Sequence, residues 1–202
     1  MLLYDLPVGM NPRRVRIFLA EKGLTVPMRV VDAAADENRH PPFLALNPLG
    51  KLPVLELDDG TVITESIAIC RYFEALHPAT PLFGSSPLEQ ARIEMWTRRM
   101  EFQIAQPISD VFLHTGEFYR TRFNQLPPYG ENSRQRTVEA MDWLNGELAG
   151  REFIATDAYS MADIVAQCAF VLGKAVGLRI PTELADLTRW FAAVSTRPTA
   201  RA

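Results

Sequence analysis

Apolar positions in the first eighty residues recur with two different periods. The run LLYDL opens the chain as a short strand, and Val15, Phe18 and Leu19 then fall on one face of a helix. Asn11 and Pro12 supply a preferred N-cap residue and a first-turn proline for that helix, and Gly23 stops it. VPMRVVD reads as a second strand and PPFLALNP as a short helix closed by Pro48. PVLELDDGTVITES reads as two strands joined at Asp59-Gly60, a dipeptide suited to a tight turn, with a helix following from Glu65 to about Leu76. The order βαβ, helix, ββα predicts a small sheet covered by helices.

The second half contains no strand pattern. HPATPLFGSSP, residues 77–87, is rich in Pro, Gly and Ser and marks a linker, with the boundary near Ser85. Beyond it the spacing predicts a long helix from about Leu88 to Thr115, kinked at Pro107, and then an irregular segment, GEFYRTRFNQLPPYGEN. Further helices are predicted near Ser133–Leu148, Met161–Val176 and Thr182–Val194. SMAD, residues 160–163, fits the capping-box pattern before an apolar helix: Ser160 caps, and Asp163 reaches back to the cap amide. The fold class is therefore α+β, with a mixed first part and an all-helical second.

Composition changes this picture only by exclusion. At 202 residues, 48% hydrophobic and net charge −3, the chain is long enough for one large or two small globular domains and lacks the clustered Lys and Arg of a nucleic-acid surface. No stretch approaches the roughly 18 apolar residues of a bilayer span, and MLLYDLP lacks the features of a secretory signal, so the expected compartment is cytoplasmic. Cys70 and Cys168 lie far apart within apolar helical patterns, which offers neither a dithiol motif nor a metal site and predicts two small buried side chains.

Taken in order, VRIFLAEKGL (15–24), FLALNPLGKLPVL (43–55), ESIAICRYFE (65–74) and SMADI (160–164) resemble the cytosolic glutathione transferase family, most closely its bacterial members. The resemblance implies a thioredoxin-like glutathione-binding domain over residues 1–76, a linker at 77–87, and an all-α domain over 88–202 that forms the site for the electrophile. It also implies a homodimer, glutathione as cosubstrate and no metal. Nucleic acid and membranes are not expected partners.

Glutathione carries charged groups at both ends and a thiol between them, so its site needs anion donors and backbone hydrogen bonds. In the family pattern Ser66, with the first-turn N–H groups of its helix, holds the γ-glutamyl carboxylate, and Glu65 assists at the ammonium group. Both residues also suit simple helix capping. Leu52-Pro53 matches the family's cis-proline turn, which lines the cysteinyl part; cis bonds are rare among X-Pro linkages, so that assignment comes from the resemblance alone. Arg39 and Lys51 occupy positions where basic side chains meet the glycine carboxylate, and either equally suits a solvated surface. The second substrate is expected where the two domains meet, against Phe102, Ile108, Phe112, His114 and Tyr119, residue types that also serve a core. Trp96 and Trp143 read as packing.

The sequence departs from the family pattern where the sulfur is held. A Ser or Cys is usual five residues after a first-strand Tyr, and counting from Tyr4 reaches Gly9; Tyr4 itself matches a position that packs under the sheet. Lowering a thiol pKa from about 8.5 to about 6.5 takes roughly 2.7 kcal/mol. A helix N-terminus supplies about 0.3–1 kcal/mol, or up to about 2 when partly buried, so one further donor is needed. Asn11 is the nearest candidate: its oxygen can cap the helix while its NH2 faces the sulfur, and Gly9 and Met10 add backbone N–H groups. An amide does not titrate, so Asn11 stabilises a thiolate and abstracts no proton. The expected reaction is attack of that thiolate on a small apolar electrophile. A glutathione-dependent peroxidase or disulfide reductase and a non-catalytic glutathione-binding protein are the alternatives.

Overall fold

In the computed structural model, which describes residues 1–202, the chain forms two compact units, Met1–Pro81 with Arg201–Ala202 and Leu82–Ala200. The division falls inside the Pro/Gly/Ser-rich segment 77–87, four residues before Ser85.

The first unit is thioredoxin-like. Strands β1 (Leu2–Asp5), β2 (Met28–Val30), β3 (Val54–Glu56) and β4 (Val62–Thr64) form one sheet in the order β2-β1-β3-β4, with β1 and β2 parallel and the other pairs antiparallel. Successive side chains of a strand face opposite sides. Tyr4 and Val54, paired across β1 and β3, join Val31 and Phe43 in one apolar cluster, and Phe43 comes from helix α2 (Pro41–Leu44). Leu3 and Leu55, the neighbouring pair, are fully buried on the other side, where α1 (Met10–Glu21) and α3 (Ser66–Leu76) pack together. At the end of α1, Gly23 takes φ 65° and lets Leu24 N–H reach back to Leu19 at 2.9 Å while its own N–H reaches Ala20 at 3.0 Å. Beside it Lys22, its side chain only 1% exposed, places its ammonium 2.6 Å from Glu74 and donates to the carbonyls of His77, Ala79 and Thr80 at 2.8, 3.0 and 3.2 Å. The segment whose composition suggests a free linker is thus pinned at its start, and its continuation Leu82-Phe83 is buried in the second unit.

The second unit is all-helical. Helix α4 (Pro87–Arg99) opens with a capping box between Ser86 and Glu89. Contacts to Ser85 and Ser86 hold the Glu89 carboxyl below its ordinary range. The predicted long helix is continuous to Thr115, but its middle, Met100–Ala105, is π-helical before α5 (Gln106–Thr115) begins. Pro107 offers no N–H and its ring crowds the carbonyl four residues back, which accounts for a widened turn just ahead of it. Helix α6 (Pro127–Glu147) starts six residues before the expected Ser133, with Pro127-Pro128 in its first turn, where prolines cost no hydrogen bond. Helix α8 (Ala185–Ser195) starts three residues after the expected Thr182.

Helix α7 (Met161–Ala175) is buried without a break from Met161 to Phe170, as expected of a helix apolar all round, with α4, the π segment, α5 and α8 against it. Its capping box forms. Asp163 is fully buried: Oδ2 accepts from Ser160 N and Oγ at 3.0 and 2.9 Å, and Oδ1 from Ile154 N and Trp190 Nε1 at 3.0 and 2.9 Å. Burial pushes this carboxyl up, and the four donors oppose that shift. Trp96 and Trp143 stack with ring centres 5.7 Å apart and an 18° tilt, and Arg99 and Arg151 lie over the Trp96 ring. Cys70 and Cys168 are both buried and unbridged. No helix is long and apolar enough to cross a membrane.

Candidate active site

The strand register gathers three chain breaks at one end of the sheet. Tyr4 pairs with Val54, and Val54 with Thr64, so the residues just beyond these pairs, Asp5-Leu6, Pro53 and Glu65, come together at that edge. From there the chain turns through residues 6–9 into α1, and from β4 directly into α3. Both helix N-termini therefore open on the same edge, a ready arrangement for an anionic ligand.

At α1 the N-cap is Gly9, not Asn11. Gly9 is extended (φ −75°, ψ 131°), its carbonyl accepts the Arg13 N–H at 3.1 Å, and its N–H donates to Leu6 O at 2.8 Å. A Cβ on Gly9 would lie 2.9 Å from Pro12 Cδ and 3.1 Å from Leu6 O, so the turn is built around a missing side chain. Asn11 stands one turn position inside the helix, exposed, with its amide side chain unbonded. The helix starts two residues earlier than the residue types suggest because Pro12 fits anywhere in the first turn, where no N–H is called for. Met10 and Asn11 keep N–H groups with no carbonyl four residues back in the helix. Tyr4 is committed elsewhere: its hydroxyl donates to Glu56 at 2.8 Å, and burial, then that bond, push the phenol's pKa up.

At α3, Glu65 is exposed and takes φ 69°, ψ 122°, a conformation seldom adopted by a residue with a side chain. Its carbonyl accepts from Ile69 N–H at 3.0 Å, leaving the N–H groups of Ser66, Ile67 and Ala68 at the helix mouth. Ser66 is buried, and its Oγ accepts from Arg14 Nη1 at 3.4 Å. Arg14 is itself 4% exposed, a guanidinium lodged between α1 and α3. Leu52-Pro53 is a cis peptide. The loop before it is fixed by two amides: Asn38 Nδ2 donates to Gly50 O at 2.7 Å and Asn47 Nδ2 to Lys51 O at 2.8 Å. The Lys51 side chain is exposed. Arg39, in a short 3-10 turn (Glu37–Arg39), is half-exposed and 3.8 Å from Asp36.

The register thus brings Gly9, Met10, Asn11, Leu52, Pro53, Glu65 and Ser66 to one edge. Arg39 and Lys51 lie on loops whose amides tie them to each other's neighbours. Sequence reasoning missed Arg14, Asn38 and Asn47. For Arg14 a signal exists: four residues before Phe18, it stands on the apolar face of α1, where a charged residue has no ordinary reason to be.

In the second unit the five expected residues separate. Phe112 and Tyr119 meet edge-to-face at 5.3 Å. His114 is buried between Phe123 and Tyr129, at 5.1 and 5.0 Å, and its Nδ1 accepts the Leu126 N–H at 3.0 Å. Phe102, in the π segment, is 57% exposed. Ile108 is a correction: it is fully buried, on the side facing Gly173 of α7, and belongs to the core.

Two family models match the chain, the glutathione S-transferase N-terminal domain over residues 10–76 and the glutathione S-transferase C-terminal domain over residues 108–198. The chain is 36% identical to Glutathione S-transferase 2 of Saccharomyces cerevisiae, over 100% of this chain and 88% of that protein. It is similar to the crystal structure of Gtt2 from the same organism, with a TM-score of 0.95 and 35% identity over 100% of this chain and 99% of that one. It is also 32% identical to Elongation factor 1-gamma of Prunus avium over 80% of this chain, which spans only 37% of that longer protein.

Proposed function

The chain belongs to the glutathione S-transferase family, and from that premise we propose that it conjugates the glutathione thiolate to small apolar electrophiles. One observation carries the reading: two helix N-termini and a cis-proline turn stand at the same edge of a thioredoxin-like sheet. In this reading the γ-glutamyl carboxylate sits on Ser66 and the free N–H groups of α3, with Glu65 toward the ammonium group. The backbone of Leu52, before Pro53, meets the cysteinyl part. Arg39 and Lys51 face the glycine carboxylate. The sulfur lies at the mouth of α1, with the N–H groups of Met10 and Asn11 and the Asn11 amide as donors and Gly9 allowing close approach.

Asn11 lies exposed in the first turn of α1, and its NH2 is available as a donor. A hydrogen bond to a charged group contributes about 1.5–3 kcal/mol, which together with the helix N-terminus matches the roughly 2.7 kcal/mol needed for a thiol ionised near neutrality. For the electrophile the reading retains the half-buried pair Phe112 and Tyr119, the buried His114 and the exposed Phe102. The family reading includes a homodimer and a cytoplasmic location. The exposed apolar side chains Leu88, Met95 and Phe102 along one helix are consistent with a protein partner surface.

Substituting Asn11→Ala is the test. The pKa of enzyme-bound glutathione, followed by thiolate absorbance, rises by about one to two units if Asn11 donates to the sulfur. An unchanged titration removes Asn11 from the mechanism. A second reading, a glutathione binder without turnover, is favoured by Gly9, which offers the sulfur no side chain. Retention on immobilised glutathione without conjugation of 1-chloro-2,4-dinitrobenzene selects it, and reduction of hydroperoxides in place of conjugation selects a peroxidase.

A further inference from the structure

The turn that carries the proposed thiolate donors is not held by burial. Pro7 and Val8 are exposed, Val8 at 87%, and Pro7 has no N–H to anchor it. What grips this turn is one side chain from the next turn of α1. Arg16 Nη1 donates to Asp5 Oδ1 at 2.5 Å and to Leu6 O at 3.4 Å, and Nη2 donates to Pro7 O at 2.8 Å. The same Leu6 carbonyl accepts the Gly9 N–H. Both charged groups are largely withdrawn from water, with side-chain exposures of 13% for Arg16 and 5% for Asp5. Arg13, Arg201 and Ala202 line the surface cavity beside the Arg16–Asp5 pair.

We infer that Arg16 is a positioning residue for the thiolate: anchored on Asp5, its guanidinium fork fixes the carbonyls of Leu6 and Pro7 and so sets the angle at which Gly9, Met10 and Asn11 face the sulfur. The inference rests on the proposed glutathione reading and goes beyond it, because Arg16 acts through Asp5 and the carbonyls of Leu6 and Pro7. The geometry requires a planar group with two parallel N–H edges, one for the carboxylate and one for the carbonyl. Lys keeps the charge but carries its donors on a single nitrogen, so it does not reproduce the fixed spacing of Nη1 and Nη2. A role through charge alone and a role through the fork therefore give different results for Arg16→Lys.

The test compares wild type with Arg16→Lys, Arg16→Met and Asp5→Asn, each checked for cooperative unfolding. Three quantities are measured: the pKa of the bound glutathione thiol, kcat/KM with 1-chloro-2,4-dinitrobenzene from pH 6 to pH 9, and the affinity for S-methylglutathione, which has no thiol to ionise. Both Arg16 variants are expected to raise the bound-thiol pKa by about half a unit to one unit, with Asp5→Asn, which retains the fork, shifting it less. Since ionisation falls below the raised pKa, kcat/KM drops about twofold to fivefold at pH 6.5 and returns toward wild type by pH 9. S-methylglutathione affinity stays within about twofold.

Arg16→Lys behaving as wild type overturns the inference, as does an equal loss of rate at every pH, or loss of S-methylglutathione binding in step with the rate, either of which marks a merely structural role. Wild type that leaves the bound thiol at its solution pKa overturns the glutathione-thiolate reading itself, and this inference with it.

Discussion

Gly9 shows how one absent side chain shapes chemistry. With a Cβ there, Pro12 Cδ would stand 2.9 Å away, and a proline ring on a helix cannot swing aside. Gly9→Ser, which supplies the side chain that the family resemblance led one to expect there, is therefore expected to lower stability by about 1–3 kcal/mol in urea denaturation and to leave turnover no higher. Gain of activity without loss of stability would show that the turn relaxes freely. This position was legible in the sequence as a departure from the pattern, but its cause was not, because it lies in a contact three residues on that only the folded turn creates. Arg16 illustrates the opposite failure. In NPRRVR it looks like ordinary surface charge, and only the placement of the strand end gives it Asp5 as a partner, whereas Arg14 is marked by its place on the apolar face of α1.

Elements were legible where residue type and period agree, and misplaced where the deciding force is tertiary. The strands, the Asp59-Gly60 turn and the capping box of α7 follow from local chemistry. The π segment does not, since its widened turn depends on how Pro107 is accommodated against packed neighbours. At the start of α7, Asp163 does more than cap: it ties the N-terminal turn to the Ile154 backbone and to the Trp190 indole on α8. Removing its carboxylate leaves several buried donors unsatisfied, each costing about 1–3 kcal/mol. Asp163→Ala is expected to destabilise by about 3–5 kcal/mol in equilibrium unfolding, well above the roughly 1 kcal/mol of a lost cap alone. A loss of only 1 kcal/mol would mean that water replaces the carboxylate.

On the scale of the whole molecule, the Pro-rich stretch at 77–87 reads as a linker, and Lys22 grips its first residues from the end of α1. A lysine without exposed surface, satisfied by one carboxylate and three carbonyls, holds residues 77–80 on the first unit. Lys22→Met strands Glu74 and frees those carbonyls. It is expected to cost about 3 kcal/mol and to open a protease-sensitive site between residues 77 and 81, detected by limited proteolysis and mass mapping. Equal resistance of variant and wild type would show that burial of Leu82 and Phe83 alone holds the joint.

The stacked indoles carry a practical corollary. Trp96, Trp143 and Trp190 are the chain's full complement of tryptophan, and every one of them resides after Pro81. Intrinsic emission excited at the red edge thus watches the helical portion only, and the sheet portion can melt in optical darkness. A tyrosine-excited or far-ultraviolet trace that parts company with the indole signal would reveal whether the two portions come undone together or in sequence.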